Sequence, residues 1–244
     1  MRTIILAAGA GRRLRPLTNH IPKCLLKVGN ETILSRTIRM CALTGLKNLV
    51  IITGHGTQYV EDEIKNITSA ACFKQQRITY IYNPFYARFN NSYSLLLGLP
   101  KRKESIIIIN SDDIFDQKIL NGIVDEGPTE LVVDNVKKLT EESMKVYIEN
   151  NNIIRIGKWL DTRNSTGEYI GLARIAATDV CYLHNALEEI VKYNPDSFYE
   201  HALDIIAKKR TIAAWKTNGL MWTEVDTAQD LAVACELIEK ELIK

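Results

Sequence analysis

LAAGAGRRLRPLTNHIPK, residues 6–23, is the stretch on which the reading of the whole chain turns. It follows a short apolar run at residues 3–6, which its β-branched residues and glycine stop predict to be a strand. Gly9 and Gly11 come straight after that run. Glycine lets the backbone approach a ligand closely, and the free N–H groups of such a turn can cradle phosphate oxygens. Arg13 and Lys23 add positive charge to a loop stiffened by Pro16 and Pro22. Two better-known phosphate motifs do not fit. The dinucleotide fingerprint G-x-G-x-x-G meets Leu14 where its third glycine belongs, and no G-K-[ST] is present for a P-loop.

Outward from that loop, the first half alternates in period. Residues 33–46 carry Leu34, Ile38, Cys41 and Ala42 at helical spacing, and residues 48–53 read as a buried strand. Residues 60–67 are weakly helical, 78–82 are strand-like, and 93–99 form a short helix. Residues 105–110 hold four consecutive isoleucines, which suits a strand covered on both faces. Strands separated by helices imply crossover units and a mostly parallel sheet. The second half changes character. Short strands are expected at 130–135, 145–149, 153–156 and 168–175, with Asn150-Asn151-Asn152 as a hairpin turn. Helices at 177–192 and 198–209, a strand at 211–216 and a closing helix at 227–243 complete the chain, with Thr227 and Asp230 spaced as a capping box. The expected class is α/β: one domain over residues 1–244, with a mostly parallel central sheet flanked by helices and a smaller antiparallel part.

Composition narrows the function classes. The 244 residues are 46% hydrophobic and 25% charged, an ordinary globular balance with length enough for a core. With 31 basic and 29 acidic residues the net charge is only +2, which argues against a nucleic-acid coat or a polybasic membrane surface. No apolar window reaches the length of a membrane span. Arg2, the apolar run after it and Ala8-Gly9-Ala10 mimic a signal peptide, but the run is too short, and Arg12, Arg13 and Arg15 follow at once. Five cysteines (Cys24, Cys41, Cys72, Cys181, Cys235), widely spaced and without C-x-x-C, read as reduced thiols of a cytoplasmic protein. The four histidines have no ligand spacing, and His201 is an outside candidate for a substrate pocket.

The full string G-x-G-x-R-L-x-P-L-T-x3-P-K, residues 9–23, resembles the signature of the sugar-phosphate nucleotidyltransferase superfamily. The resemblance implies a Rossmann-like domain that binds a nucleoside triphosphate with Mg2+. It implies catalytic roles for Arg13 and Lys23, and nucleotide contacts from Leu6, Ala7, Ala8, Gly9 and Gly11. Asp112, in N-S-D-D at the end of the isoleucine strand, matches the first metal carboxylate. The family usually has Gly-Asp where this chain has Ser111-Asp112, so Asp113 stays in reserve. Asp226, in V-D-T-A-Q-D-L, resembles the second metal carboxylate, while Glu224 and Asp230 are read as structural.

Further segments resemble one branch. Asn90-Asn91-Ser92-Tyr93-Ser94-Leu95 looks like a segment of bacterial phosphocholine and phosphonate cytidylyltransferases, which adds Asn91 and Ser92 to the nucleotide set. Residues 153–160, IIRIGKWL, resemble a stretch of those enzymes and of inositol-1-phosphate cytidylyltransferases, with Lys158 facing the acceptor phosphate. Gly167-Glu168-Tyr169-Ile170-Gly171 points the same way. Glu168, Tyr169, Glu200 and Trp222 are the acceptor-binding candidates.

The resemblance therefore implies Mg-dependent transfer of CMP from CTP to a small phosphocholine-like phosphomonoester or phosphonate, with release of pyrophosphate. Residues 1–125 would serve the nucleotide mainly, and 126–225 the acceptor. No nucleic-acid partner or membrane insertion is expected; a homo-oligomer stays open. The alternatives are a sugar-1-phosphate nucleotidyltransferase using UTP, dTTP or GTP, and a catalytically silent nucleotide-binding subunit.

Overall fold

The computed structural model describes residues 1–68, 73 and 75–243. Cys72, read above as a reduced thiol, lies outside the described residues. The strands of the first half are β1 (Arg2–Ala7), β2 (Lys27–Val28), β3 (Glu31–Thr32), β4 (Asn48–Thr53), β5 (Arg77–Tyr82), β6 (Ile106–Asn110) and β7 (Asp113–Phe115). Those of the second are β8 (Glu130–Asp134), β9 (Lys145–Glu149), β10 (Asn152–Ile156), β11 (Gly167–Ile175), β12 (Ala213–Lys216) and β13 (Trp222–Glu224). The helices are α1 (Ile33–Leu43), α2 (Thr57–Thr68), α3 (Asn91–Gly98), α4 (Gln117–Asn121), α5 (Val180–Tyr193), α6 (Glu200–Ala207) and α7 (Ala228–Glu239).

Nine strands form one sheet in the order β5-β4-β1-β6-β11-β8-β12-β10-β9. From β5 to β6 the neighbours are parallel. β11 then runs antiparallel to both β6 and β8, and β12 returns parallel to β8. The antiparallel part is thus an extension of the same sheet, not a separate layer. β1 sits between β4 and β6 because its run can be covered on both sides. Ile4 and Leu6 join the apolar layer beneath α3, α5 and α6, while Ile5 and Ala7 join the layer beneath α1, α2 and α4. The same alternation divides the isoleucines of β6, all 0% exposed, two to each layer. Each such side chain contributes on the order of 1.5–3 kcal/mol.

α2 and α3 start earlier than their periodicity suggests, at Thr57 and Asn91, and two helices start later. Asp179 and Tyr199 are the residues flanking the starts of α5 and α6, so both begin two or three residues inside the expected spans. The β9–β10 hairpin turns through Asn150 and Asn151, both at positive φ, as a two-residue turn requires. The capping box at α7 forms as expected, with Thr227 and Asp230 bonding each other's backbone. Two short pairings were not legible in the sequence, β2–β3 and β7–β13. The second decides the site. Among the described residues, no helix is long and apolar enough to cross a membrane.

Candidate active site

A cleft of ≈ 520 Å³ opens where the carboxyl ends of β1 and β6 meet the start of β11. This is the edge at which open α/β sheets hold ligands. The loop after β1 forms one wall. Gly11 lies at φ 57°, and a Cβ there would come within 2.9 Å of the Lys23 Cβ, so the loop closes on itself only with glycine at that point. Thr18 Oγ1 donates to the Gly11 carbonyl at 2.7 Å and fixes the turn. Ser111, which replaces the usual glycine, donates its hydroxyl to the Leu6 carbonyl at 2.7 Å and ties β6 to β1 directly below the cleft.

The opposite wall comes from the β7–β13 pair. Glu224 stands across from Asp113, and the Val225 N–H donates to the Asp112 carbonyl at 2.9 Å. This pairing brings two distant segments together, so that carboxylate oxygens of Asp112, Glu224 and Asp226 lie within 4.8 Å of one another. Lys23 reaches into the group. Its ammonium is 2.8 Å from Asp112 Oδ2 and also bonds Asp226 Oδ1. Arg13 lies on the other oxygen of Asp226, at 2.5 Å. Burial alone would lower the Lys23 pKa, but Asp112 and Asp226 outweigh it and hold the ammonium charged well above its usual range. Burial alone would raise Asp226, but Lys23 and Arg13 bring it below the usual carboxylate range. Glu224 is pushed up, by lost hydration of its carboxyl and then by the charges of Asp112 and Asp226.

Glu224 therefore corrects the reading above. It is not a structural acid but the third carboxylate of the cluster. The signal was present in E-V-D: Val225 is fully buried, so in extended backbone residues 224 and 226 fall together on the other side. Asp230 is structural, as expected, since it caps α7. Asp113, held in reserve, lies outside the cluster. It is buried in β7 beside Gly171, with Oδ2 unpartnered and its carboxyl pushed well up by burial, then by Asp112 and Glu224. Gly171 has φ 82°, and a Cβ on it would lie 2.2 Å from Asp113 Oδ2 and 2.6 Å from Asn110 Nδ2.

Leu6, Ala8, Gly9, Gly11, Arg13, Lys23, Asn91, Lys158, Glu168, Tyr169, Glu200 and Trp222 all line the cleft, together with Asp112 and Asp226. Ala7 and Ser92 do not. Ala7 faces the core on the α1 side, where strand alternation puts it. Ser92 is 0% exposed within α3, whose N-cap is Asn90. Asn91 Oδ1 accepts the Tyr199 N–H at 2.9 Å and so joins α3 to the start of α6. Lys158 pairs with Glu142 at 3.1 Å across the mouth. Burial pushes Glu200 up to about 7. His201 lies outside the cleft lining, edge-on to Trp159 at 5.5 Å.

A basic glycine-bearing loop facing a carboxylate cluster, at the edge of this mixed sheet, defines an enzyme of the nucleotidyltransferase type. The chain belongs to the nucleotidyl transferase family, whose model matches residues 2–126. It is 30% identical to the bifunctional IPC transferase and DIPP synthase of Aquifex aeolicus, over 99% of this chain and 52% of that protein. It is 25% identical to the CTP:phosphoglutamine cytidylyltransferase of Campylobacter jejuni, over 97% of this chain and 100% of that protein. The chain thus spans about half the length of the first relative and all of the second. The inositol-1-phosphate CTP transferase from T. maritima superposes with a TM-score of 0.81 at 22% identity, covering 98% of this chain and 95% of that one. The CTP:phosphocholine cytidylyltransferase from Streptococcus pneumoniae gives 0.78 at 22% identity, covering 97% of this chain and 98% of that one. At that identity these structures establish the fold.

Proposed function

We propose that the chain transfers CMP from CTP to a small phosphomonoester or phosphonate and releases pyrophosphate. The observation that carries this reading is the meeting of Arg13 and Lys23 with Asp112, Glu224 and Asp226 in a cleft shared by both halves of the sheet. Relatives whose names specify CTP and phosphorylated acceptors support the choice of nucleotide. In this reading residues 1–125 mainly serve the nucleotide and 126–225 mainly the acceptor. The five widely spaced cysteines without C-x-x-C support reading it as a cytoplasmic enzyme.

The chemistry asks for these residue types. An ionised acceptor attacking the α-phosphorus brings two anions together, and each like-charge pair a few Å apart costs about 4 kcal/mol at an effective dielectric near 20. Arg13 and Lys23 offset that repulsion on the nucleotide side, and Lys158 can do so at the acceptor phosphate. The nucleophile is already ionised, so no side chain need remove a proton. The converging hard oxygens of Asp112, Glu224 and Asp226 fit a magnesium ion, which takes carboxylates plus phosphate oxygens. When bound, that ion would supply charge neutralisation on the triphosphate.

The test is pyrophosphate release across four nucleoside triphosphates and a panel of phosphorylated acceptors with magnesium. Turnover confined to CTP is expected. Turnover of sugar 1-phosphates with UTP, dTTP or GTP, and none with CTP, would overturn the reading.

A further inference from the structure

Two glutamates of the cleft wall each carry one carboxylate oxygen without a hydrogen-bond partner. Glu168, near the start of β11, and Glu200, which opens α6, are 8% and 4% exposed, and both line the cleft. The Oε2 atom of each has no hydrogen-bond partner. Lys137 approaches Glu168 at 3.8 Å, beyond hydrogen-bond reach. A buried carboxylate oxygen without a donor is destabilising, and a ligand carrying donors relieves that on binding. Charge matching on this wall is uneven. Lys158 is matched by Glu142 and Lys137 by Glu168, while Glu200 has no cation within ion-pair distance among the described residues.

The aromatic rings of the same wall are already engaged. Trp222 donates Nε1–H to Asp134 at 2.5 Å and carries the Lys137 ammonium 4.6 Å from its ring centre. Phe198 carries the Lys158 ammonium at 5.5 Å. A quaternary ammonium is held by ring faces and brings no N–H donor. Here the Trp222 and Phe198 rings serve the protein's own lysines, Tyr169 is buried edge-on to Tyr199 with the two hydroxyls bonded, and Glu168 and Glu200 keep carboxylate oxygens without a partner. A neutral polyol would supply donors but leave the Glu200 charge unmatched.

Building on the cytidylyltransferase reading, we infer that the acceptor carries, beyond its phosphoryl group, a protonated amine whose N–H groups are taken by Glu168 and Glu200, and that a quaternary ammonium is disfavoured. These two residues then set acceptor specificity, while Asp112, Glu224 and Asp226 serve the nucleotide side whatever the acceptor.

The experiment is kcat/KM with CTP and magnesium for phosphoethanolamine, its N-methyl and N,N-dimethyl forms, phosphocholine and inositol 1-phosphate. A fall with each N–H lost, of at least tenfold from the primary amine to phosphocholine, is expected, with inositol 1-phosphate below the primary amine. Glu200→Gln should reduce that ratio to threefold or less with the KM for CTP unchanged, and Glu168→Gln gives a second reading should the first variant fold poorly. Phosphocholine or inositol 1-phosphate as the best acceptor would overturn the amine assignment and leave the cytidylyltransferase reading standing. Absence of CTP turnover with every acceptor would remove both.

Discussion

The two halves of the sheet build their shares of the cleft in different ways. From β5 to β6 the strands are parallel, and the binding elements are loops at their carboxyl ends, so that one continuous string, residues 6–23, delivers both Arg13 and Lys23. From β11 to β9 the side chains come from scattered places: Lys158 after β10, Glu168 on β11, Glu200 on α6. In the parallel half the short bond from Ser111 to Leu6 ties β6 to β1 below the cleft, whereas in the other half Glu168 and Glu200 each turn a carboxylate oxygen without a partner to the cleft wall. On the proposed reading, the contrast matches a fixed ligand part, the triphosphate, to one contiguous loop, and a variable part, the acceptor, to side chains gathered from separate elements.

The comparison breaks first at Lys23. If the parallel half performs the chemistry, Lys23→Ala should lower kcat by roughly 10²–10³, the loss expected when a group meets transition-state charge. Steady-state kinetics at saturating CTP would read it, and a loss below about threefold would end that role. Next comes the cost of burying Glu200. The Glu200 pKa is raised from 4.5 to about 7, by burial first, with Asp112 also raising it and Tyr199 and Lys158 opposing. A raised acid holds its proton more tightly folded than unfolded, so this stability is fully present below about pH 4.5 and is lost as pH rises through 7. Glu200→Gln should therefore melt higher than the wild type at pH 8, by on the order of 2–3 kcal/mol, and match it near pH 4.5. Equal differences at both pH values would show that Glu200 is already compensated.

The smallest effect sharpens the nucleotide side. The Lys23 ammonium lies between Asp112 and Asp226, among the very oxygens that suit a divalent ion. Lys23→Met should tighten Mn2+ binding to the nucleotide-free protein by about tenfold, or about 1.4 kcal/mol, read by electron paramagnetic resonance. Unchanged affinity would mean that the lysine and the ion do not compete.

How much the sequence revealed follows the same division. β1, β4 and β6 were legible because strands buried on both faces are written as unbroken apolar runs. The loop from Gly9 to Lys23 was legible because its residues are contiguous. β7 and β13 are only three residues each, too short for any hydrophobic period to register, and their pairing alone carries Glu224 to Asp112. Spacing along the chain could not show that Asp112 and Asp226 meet. Ser92 entered the nucleotide set through the resemblance of its segment, which does not say which residues of a short helix face the cleft; in α3 Asn91 lines it and Ser92 is buried.

Gly171 marks the seam between the two halves, where β11 passes Asn110 and Asp113 with no room for a side chain and with its pairing to β8 irregular between Tyr169 and Ala173. For protein engineering this makes the molecule separable only along particular lines. A chimera that borrows a foreign second half must import its β11 together with partners that tolerate this close pass, or else keep Gly171, Asn110 and Asp113 as one inherited unit. Grafts cut inside that unit would fail at assembly before any question of substrate arose.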